Sequence, residues 1–120
     1  WTLENWIKSD TRFRASVAIA PSDPKLAARE IRRIGDNPAV IQVVIPAGSR
    51  LPYGNRFYDP IYKAAQKYGL PICVHFGAEG AGFANAPTAA GYPSYYLEMR
   101  MARPQVAMAQ VACLLWERTF

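Results

Sequence analysis

Hydrophobic and polar residues follow a repeating cycle along the chain, in which short apolar runs alternate with stretches of helical periodicity. Apolar runs of this length, bounded by glycine and proline, are typical of buried strands. They predict β-strands near 14–20, 39–46 and 71–76. Between the strands, apolar residues recur at three- and four-residue intervals and predict two helices, with buried faces formed by Ala27, Ile31 and Ile34 and by Ile61, Ala64, Ala65 and Tyr68.

The boundaries of these two helices are marked by capping residues. Asp23 is expected to be the N-cap of the first helix, Pro24 to occupy its first position, and Gly35 to end it. The second helix is expected to begin at Asp59–Pro60 and to end at Gly69. Each helix is therefore delimited at both ends by the sequence itself.

A last helical region is expected between Pro93 and about Arg118, and the opening residues 2–9 are interpreted as the tail of a further helix. Pro104 is expected to divide the last region into a short helix and a longer one, because proline has no backbone N–H to donate. The buried stripe of the longer part is expected to comprise Ala107, Val111, Leu114 and Leu115.

Helices that alternate with short buried strands indicate a parallel sheet. The sequence therefore predicts an α/β fold of about three consecutive βα units in one segment, residues 1–120, with no second domain. The loops that follow the second and third strands, 46–58 and 77–93, are long, whereas the loops that lead into strands are short. Because the sites of parallel α/β proteins lie after the carboxyl ends of strands, functional residues are expected in these two loops.

His75 is the only histidine of the chain and stands at the end of the third predicted strand. A histidine on a strand often has a structural role, with its ring nitrogens hydrogen-bonded in the core. Its position before a long glycine-rich loop favours a functional site equally well. Cys73 shares its predicted face but lies about 6–7 Å back along the strand, so we do not expect it to be a ligand. The residue pattern alone leaves both interpretations of His75 open.

Composition narrows the partners that are expected. The net charge is +5, but the basic residues are spread along the chain, and no aromatic–basic motif accompanies them. Nucleic acid is therefore not an expected partner, and capture of anionic ligands or nucleic acid is a third hypothesis.

No apolar run approaches the roughly 18 residues that cross a membrane, so no membrane association is expected. Two cysteines without a disulfide pattern, Cys73 and Cys113, predict a reducing, cytoplasmic compartment.

Three stretches of the chain carry a family resemblance: NRFYDPIYKAAQKYGLPICVHFGAEG, PTAAGYPSYYLEMR and QVAMAQVACLLWERTF. In them the chain closely resembles the amidohydrolase-related family often labelled amidohydrolase 2. This family of metal-dependent hydrolases includes enzymes like aminocarboxymuconate-semialdehyde decarboxylase and γ-resorcylate decarboxylase. The upstream run LENWIKSDTRFRASVAIAPSDPKLAAREIRRIG fits the same family.

The resemblance implies that the chain is a partial TIM-type (β/α)8 barrel, matching the middle of the barrel. The family's metal site takes two histidines from an HxH pair, a third from a later strand and an aspartate. Only the third of these histidines has a match, which implies that His75 is a metal ligand. The remaining ligands would precede Trp1 or follow Phe120, so we expect a segment that holds no stoichiometric metal by itself.

The implied cofactor is a divalent metal, with zinc expected, and the implied substrate is a small molecule that bears a carboxylate, amide or ester. The reaction is hydrolysis or nonoxidative decarboxylation, and the resemblance leaves the two open. Three further residues are candidates for substrate binding or for orienting a metal ligand. Glu79 could orient His75 or be a solvated loop residue, Arg50 could bind a carboxylate or be an exposed loop arginine, and Tyr95 could line the site or simply pack.

A competing hypothesis is a non-catalytic partial barrel that is stable only through self-association or with missing segments. Its basis is that the second and third strands read as fully buried, whereas one layer of helices covers only one side of a sheet. Three strands also leave two unpaired edges, which favour association. A homo-oligomer is therefore a possible assembly.

Overall fold

A computed structural model describes residues 1–77 and 86–117 of the 120-residue chain. A π-helical turn, Leu3–Ile7, lies within the stretch interpreted as the tail of a helix. A 3₁₀ turn, Arg56–Tyr58, precedes the second helix. The strands are β1 (Ala15–Ala18), β2 (Val40–Pro46) and β3 (Ile72–His75), and the helices are α1 (Pro24–Ile34), α2 (Asp59–Lys67) and α3 (Tyr96–Trp116).

The three strands form one sheet in the order β1-β2-β3, with parallel pairing. In the pairing of β1 with β2, Val17 lies opposite Val43. Between β2 and β3, the Val43 N–H donates to the Pro71 carbonyl at 3.0 Å, and the Ala47 N–H donates to the His75 carbonyl at 2.7 Å. This mixed α/β arrangement with three parallel strands confirms the predicted fold class and matches part of a TIM-type barrel.

The chain divides into two compact units. The first unit comprises Trp1–Ile45 and Asp59–Cys73, and the second comprises Pro46–Tyr58 and Val74–Phe120. Among the residues that the structure describes, no helix combines the length and the apolar character that crossing a membrane requires.

Helix α1 begins and ends where its capping residues predict. The carboxylate of Asp23 accepts hydrogen bonds from the backbone N–H groups of Lys25 and Leu26 at 3.1 and 3.0 Å. Gly35 ends the helix with an ordinary negative φ of −69°. Glycine is required there by close packing, because a Cβ atom would lie 2.8 Å from the ring of Tyr68.

The core of the first unit is formed by one face of the sheet and by the facing helices α1 and α2. Ile41 of β2 is 46% exposed, so the prediction that this strand is covered on both faces is wrong. The strand instead alternates between buried and partly exposed positions, because helices cover one face only. The side chains that form this core include Val17, Ala27, Ala28, Ile31, Val43, Ile45, Ile61, Ala64 and Ala65.

Helix α3 is continuous through Pro104, so the predicted division into two helices is wrong. Proline removes the hydrogen bond to the carbonyl of Arg100, four residues earlier. Both residues are exposed, so water can solvate that carbonyl. The helix therefore loses one hydrogen bond without burying an unpaired group, and it continues.

The face that α3 buries differs from the predicted one. Gln110 is its only buried residue, at 8% exposure, whereas Val111 and Leu115 are 54% and 60% exposed. The expectation that Val111 and Leu115 are buried is therefore wrong. The physical reason is that the hydrogen bonds of Gln110 turn a different side of the helix toward the loop after β2.

Candidate functional site

His75 is the last residue of β3 and its side chain is exposed. Its Nδ1 atom lies 2.7 Å from the carbonyl oxygen of Phe76. A carbonyl oxygen only accepts hydrogen bonds, so this contact requires the proton of the neutral ring to sit on Nδ1. In that tautomer the lone pair of the ring is on Nε2.

The carboxyl ends of β2 and β3 lie side by side. Besides the bond from Ala47 to His75, the Gly48 N–H donates to the Gly77 carbonyl at 3.3 Å. The long loops that follow the two strands therefore start next to each other, as expected for parallel strands. His75 stands at the start of one loop, and Arg50 lies in the other.

The loop after β2 is held in place by packing and hydrogen bonds of its own, and it carries Arg50 on its surface. The rings of Tyr53 and Tyr58 pack edge to face with their centroids 4.9 Å apart, and both residues are buried. The Tyr53 hydroxyl donates to the Pro46 carbonyl at 2.6 Å, and the Tyr58 hydroxyl donates to the Leu51 carbonyl at 3.1 Å. These contacts hold the loop backbone on both sides of Arg50. Within residues 1–77 and 86–117, Arg50 itself makes no hydrogen bond or ion pair.

Tyr95 lies at the N-terminal end of α3 and is 73% exposed. The carboxylate of Glu98 accepts from the backbone N–H of Tyr95 at 3.1 Å and from that of Ser94 at 2.7 Å. Tyr95 therefore begins a helix. Among the described residues, its side chain forms no hydrogen bond with His75 or Arg50. Glu79, the fourth candidate, lies outside the described residues.

A cluster of arginines and aromatic rings adjoins the end of β3. The guanidinium of Arg103 lies 6.0 Å from the ring centroid of Phe76 and 5.9 Å from that of Tyr96, and Arg100 lies 5.7 Å from Tyr96. Such distances are those of cation–π contacts. From the sequence, Tyr96 is, like Tyr95, a residue that could line the site or simply pack, whereas Arg100 and Arg103 were not singled out. The spacing of Tyr96, Arg100 and Arg103 places them on one helix face.

Gln110 is a second residue that sequence reasoning did not single out. Its Oε1 accepts from the Tyr53 N–H at 2.8 Å, and its Nε2 donates to the Ala47 carbonyl at 2.9 Å and to the Ser49 hydroxyl at 3.0 Å. One buried amide therefore connects α3 to the loop after β2. A glutamine inside an otherwise apolar helix segment was the available signal, but its partners are about 60 residues away along the chain.

A cavity of about 400 Å³ lies beside this amide in the second unit. Its walls are mostly apolar, and His75, Arg50 and Tyr95 are not among the described residues that line it. The polar groups that line it belong to Ser49, Thr88, Gln105 and Gln110.

Among residues 1–77 and 86–117, the carboxylates with a perturbed pKa lie in the first unit, away from His75 along the chain. A hydrogen bond from the Arg33 side chain lowers the pKa of Glu30, and the two groups are 2.6 Å apart on α1. A hydrogen bond from the Arg12 side chain likewise lowers the pKa of Asp10. Both are surface ion pairs between near neighbours, which is a structural and not a catalytic arrangement.

The described residues do not supply a complete metal site. Within residues 1–77 and 86–117, no three His, Cys, Asp or Glu side chains are grouped so that they could hold a metal ion. Cys73 and Cys113 are free thiols, each partly buried.

Three parallel strands, with long loops and a histidine at their carboxyl ends, define an α/β protein whose site would lie at that edge of the sheet. The sequence profile of the amidohydrolase family matches residues 1–105, and the chain belongs to this family. Members of the family generally bind divalent metal ions. Comparison with curated proteins finds no match.

Proposed function

We propose that His75 is a metal ligand of a metal-dependent amidohydrolase that acts on a small carboxylate, amide or ester substrate. The observation that carries this proposal is the contact between Nδ1 of His75 and the Phe76 carbonyl. Histidines that bind metals characteristically donate the other ring N–H to a carbonyl or carboxylate, which fixes the tautomer and the ring orientation. Here that contact leaves Nε2 as the ligating atom.

Zinc is the metal that we propose, because neutral imidazole is among its preferred ligands. When bound, such an ion activates water or polarises the substrate. A catalytic zinc site has three protein ligands as a rule, and the described residues contain no group of three that could hold a metal ion. The proposal therefore assigns His75 alone, and the other ligands of the family pattern have no match in the printed sequence, which contains one histidine.

Arg50 is the residue that we propose for binding a substrate carboxylate. It is exposed, and its loop begins beside the strand end that carries His75. An exposed guanidinium can form a bidentate pair with a carboxylate. Two further proposals rest on the sequence alone. Tyr95 would bind the substrate, and Glu79 would orient His75.

The reaction that we propose is hydrolysis or nonoxidative decarboxylation, as in relatives of the aminocarboxymuconate-semialdehyde decarboxylase and γ-resorcylate decarboxylase type. Zinc-dependent release of CO2 from small aromatic carboxylates would identify a decarboxylase, and zinc-dependent cleavage of amides or esters would identify a hydrolase. Activity of either kind should be lost in His75→Ala.

Binding of zinc tests the assignment of His75 directly. We expect the Nε2 resonance of ¹⁵N-labelled imidazole to shift as Zn²⁺ is added, while Nδ1 stays protonated. One imidazole does not build a tight site, so elemental analysis after gel filtration should find much less than one zinc per chain. The matched control is His75→Ala, in which this weak binding should disappear.

Two outcomes contradict the assignment. A shift at Nδ1 instead of Nε2 would show that the ring binds zinc through Nδ1 and not through the proposed Nε2. One tightly held zinc per chain that persists in His75→Ala would show that other side chains build the site.

A second candidate function is a non-catalytic partial barrel. The specific observation in its favour is the exposed apolar surface of α3, where Leu97, Met101 and Met108 are 70%, 67% and 71% exposed. A folded chain that shows neither hydrolysis nor decarboxylation at saturating Zn²⁺ supports this candidate over the first.

A further inference from the structure

The carbonyl group of Phe76, which accepts the hydrogen bond of the His75 ring, lies between two carbonyl groups that pair with the residues after β2. The His75 carbonyl accepts from the Ala47 N–H at 2.7 Å, and the Gly77 carbonyl accepts from the Gly48 N–H at 3.3 Å. The Phe76 carbonyl instead lies 2.7 Å from Nδ1 of the histidine. Because the hydrogen bond of one ring nitrogen fixes the proton, the orientation of this carbonyl decides the tautomer.

The peptide group that contains this carbonyl continues into a glycine. Gly77 has a φ of 151°, a conformation that residues with a side chain rarely adopt. Glycine also has no side chain that could hold the peptide group by packing. The nearest side chain that can hold it is the ring of Phe76 itself.

The ring of Phe76 is contacted from helix α3. The guanidinium carbon of Arg103 lies 6.0 Å from the centroid of this ring and 5.9 Å from the centroid of Tyr96, so that one cation contacts two rings. The Nε atom of Arg103 is buried and has no hydrogen-bond partner among residues 1–77 and 86–117. Contacts with aromatic rings, and not a hydrogen bond at Nε, therefore hold this side chain in the described structure.

We propose that Arg103 is a positioning residue for His75 and acts through Phe76. The guanidinium holds the ring of Phe76, and the held residue directs its carbonyl to Nδ1 of the histidine, which leaves the lone pair on Nε2. The inference rests on the proposed function in one respect, which is that His75 is the metal ligand. The effect of Arg103 on the tautomer does not require a metal.

Arginine suits this role because its guanidinium is planar and can stack on two aromatic faces at once, whereas the ammonium of lysine is a compact point charge. Arg100, one helical turn before Arg103, lies 5.7 Å from the centroid of Tyr96. Among the described residues, Arg100 forms no such contact with Phe76. The chain therefore carries two similar arginines, of which one contacts the residue that orients His75.

Loss of the contact has a definite chemical consequence. Without the hydrogen bond at Nδ1, the neutral ring is distributed between two tautomers, and the tautomer protonated on Nε2 has no lone pair there for a metal. The apparent affinity for a metal falls with the fraction of rings that can bind it. Arg103 should therefore affect metal binding without touching the metal.

Nitrogen NMR of the ¹⁵N-labelled imidazole tests the first step in the absence of zinc, at about pH 8.5, where the neutral ring is observed. We expect the unmodified protein to carry the proton mainly on Nδ1. In Arg103→Met, and independently in Phe76→Leu, the ratio of the tautomers should move about two- to fivefold toward protonation of Nε2, as expected for loss of one cation–π contact. A ring protonated mainly on Nε2 in the unmodified protein would overturn the inference.

Arg100→Met is the matched control, because it removes an arginine from the same helix and a contact with Tyr96 but none with Phe76. Its tautomer ratio should equal that of the unmodified protein. Arg103→Lys keeps a cation near the ring and should retain part of the effect. Circular dichroism should show the same helix content in all variants. A shift in Arg100→Met as large as that in Arg103→Met would show that loss of charge, and not the contact, moves the proton.

The double variant Arg103→Met with Phe76→Leu tests whether Arg103 acts through Phe76. If it does, the double variant should shift the tautomer ratio no further than either single variant, because both remove the same contact. Fully additive shifts would show that the two residues act independently and would overturn the inference.

Titration with Zn²⁺ tests the second step. Arg103→Met should bind Zn²⁺ about two- to fivefold more weakly, in proportion to the change in tautomer. Removal of a positive charge by itself would instead strengthen the binding of a cation, so tighter binding contradicts the positioning role.

The two measurements separate the inference from the proposed function. A tautomer ratio that responds to Arg103→Met in a protein whose ring does not respond to Zn²⁺ would support the contact and overturn the assignment of His75 as a ligand. An unchanged ratio, with binding of Zn²⁺ at Nε2 intact, would overturn the role of Arg103 and leave that assignment standing.

Discussion

The side chain of Gln110 forms three hydrogen bonds in the interior of the second unit. A buried amide contributes to stability only when its partners are present, because a polar group left without them keeps its desolvation penalty. The position of α3 against the loop after β2 therefore depends on this residue more than on any apolar contact of the helix.

Replacement of Gln110 by methionine tests this role. Methionine keeps the length of the side chain but offers neither the acceptor for the Tyr53 N–H nor the donor for the Ala47 carbonyl. We expect a loss of about 1–3 kcal/mol in the free energy of unfolding, measured by urea denaturation. Gln105→Met, at an exposed position of the same helix, should change stability by less than about 0.5 kcal/mol. Equal stability of the two variants would mean that the hydrogen bonds are not what holds the helix in place.

At the scale of a single residue, His75 also carries information about the candidate site. His75 has one ring nitrogen engaged by the neighbouring carbonyl, and the exposure of the residue leaves the other nitrogen accessible. The sequence placed this histidine at a strand end, and the structure adds which nitrogen is available. The tautomer depends on a contact of 2.7 Å, which no residue pattern specifies.

At the scale of elements, α1 is the helix that the sequence describes most completely. Its N-cap, its first-turn proline and its terminal glycine all occupy the predicted positions. The capping carboxylate satisfies two backbone N–H groups that would otherwise have no partner within the helix. Its contribution should therefore be measurable separately from the packing of the helix.

Asp23→Ala should lower the free energy of unfolding by about 1 kcal/mol, because both hydrogen bonds to the cap are lost. Asp23→Asn keeps a capping oxygen and should cost less, in line with the similar capping preferences of the two residues. Asp36→Ala, at an exposed position just beyond the helix, serves as the control for removal of a carboxylate. A loss in Asp36→Ala equal to that in Asp23→Ala would contradict the capping explanation.

Helix α3 shows the opposite case, in which local rules do not decide the outcome. Pro104 indicates a boundary, and the apolar residues indicate a buried stripe, but the helix is continuous and the stripe is exposed. The stripe is exposed because the orientation of the helix is set by Gln110 and by the close approach of Gly54 to Cys113. The helix continues because Pro104 and Arg100 are exposed, so water can solvate the carbonyl that loses its hydrogen bond.

At the scale of the whole molecule, burial is distributed unevenly between the helices. Helices α1 and α2 bury several apolar residues each, whereas α3 buries one polar residue. Local opening requires less free energy where few apolar contacts are lost. The amides of α3 should therefore exchange with solvent faster than those of α1 and α2.

Native-state hydrogen exchange of the protein at low concentration measures this difference. We expect the most protected amides of α3 to exchange about tenfold faster, or more, than those of α1. Uniform protection of all three helices would show that the chain opens as a single unit.

The sequence by itself determined the alternation of strands and helices, the parallel sheet, the caps of α1 and the place of His75 at a strand end. These features follow from interactions between near neighbours and from the alternation of apolar positions, both of which are written in consecutive residues. The amidohydrolase family was also recognisable, and its match over residues 1–105 confirms it.

Only the tertiary structure decided which face of α3 is buried and that one face of β2 stays partly exposed. Gln110 meets Ala47 and Tyr53 across about 60 residues of chain, and Gly35 is required by the ring of Tyr68 rather than by its own backbone conformation. Such contacts join residues that are distant in sequence. Their energies therefore depend on how the elements pack, which local patterns do not encode.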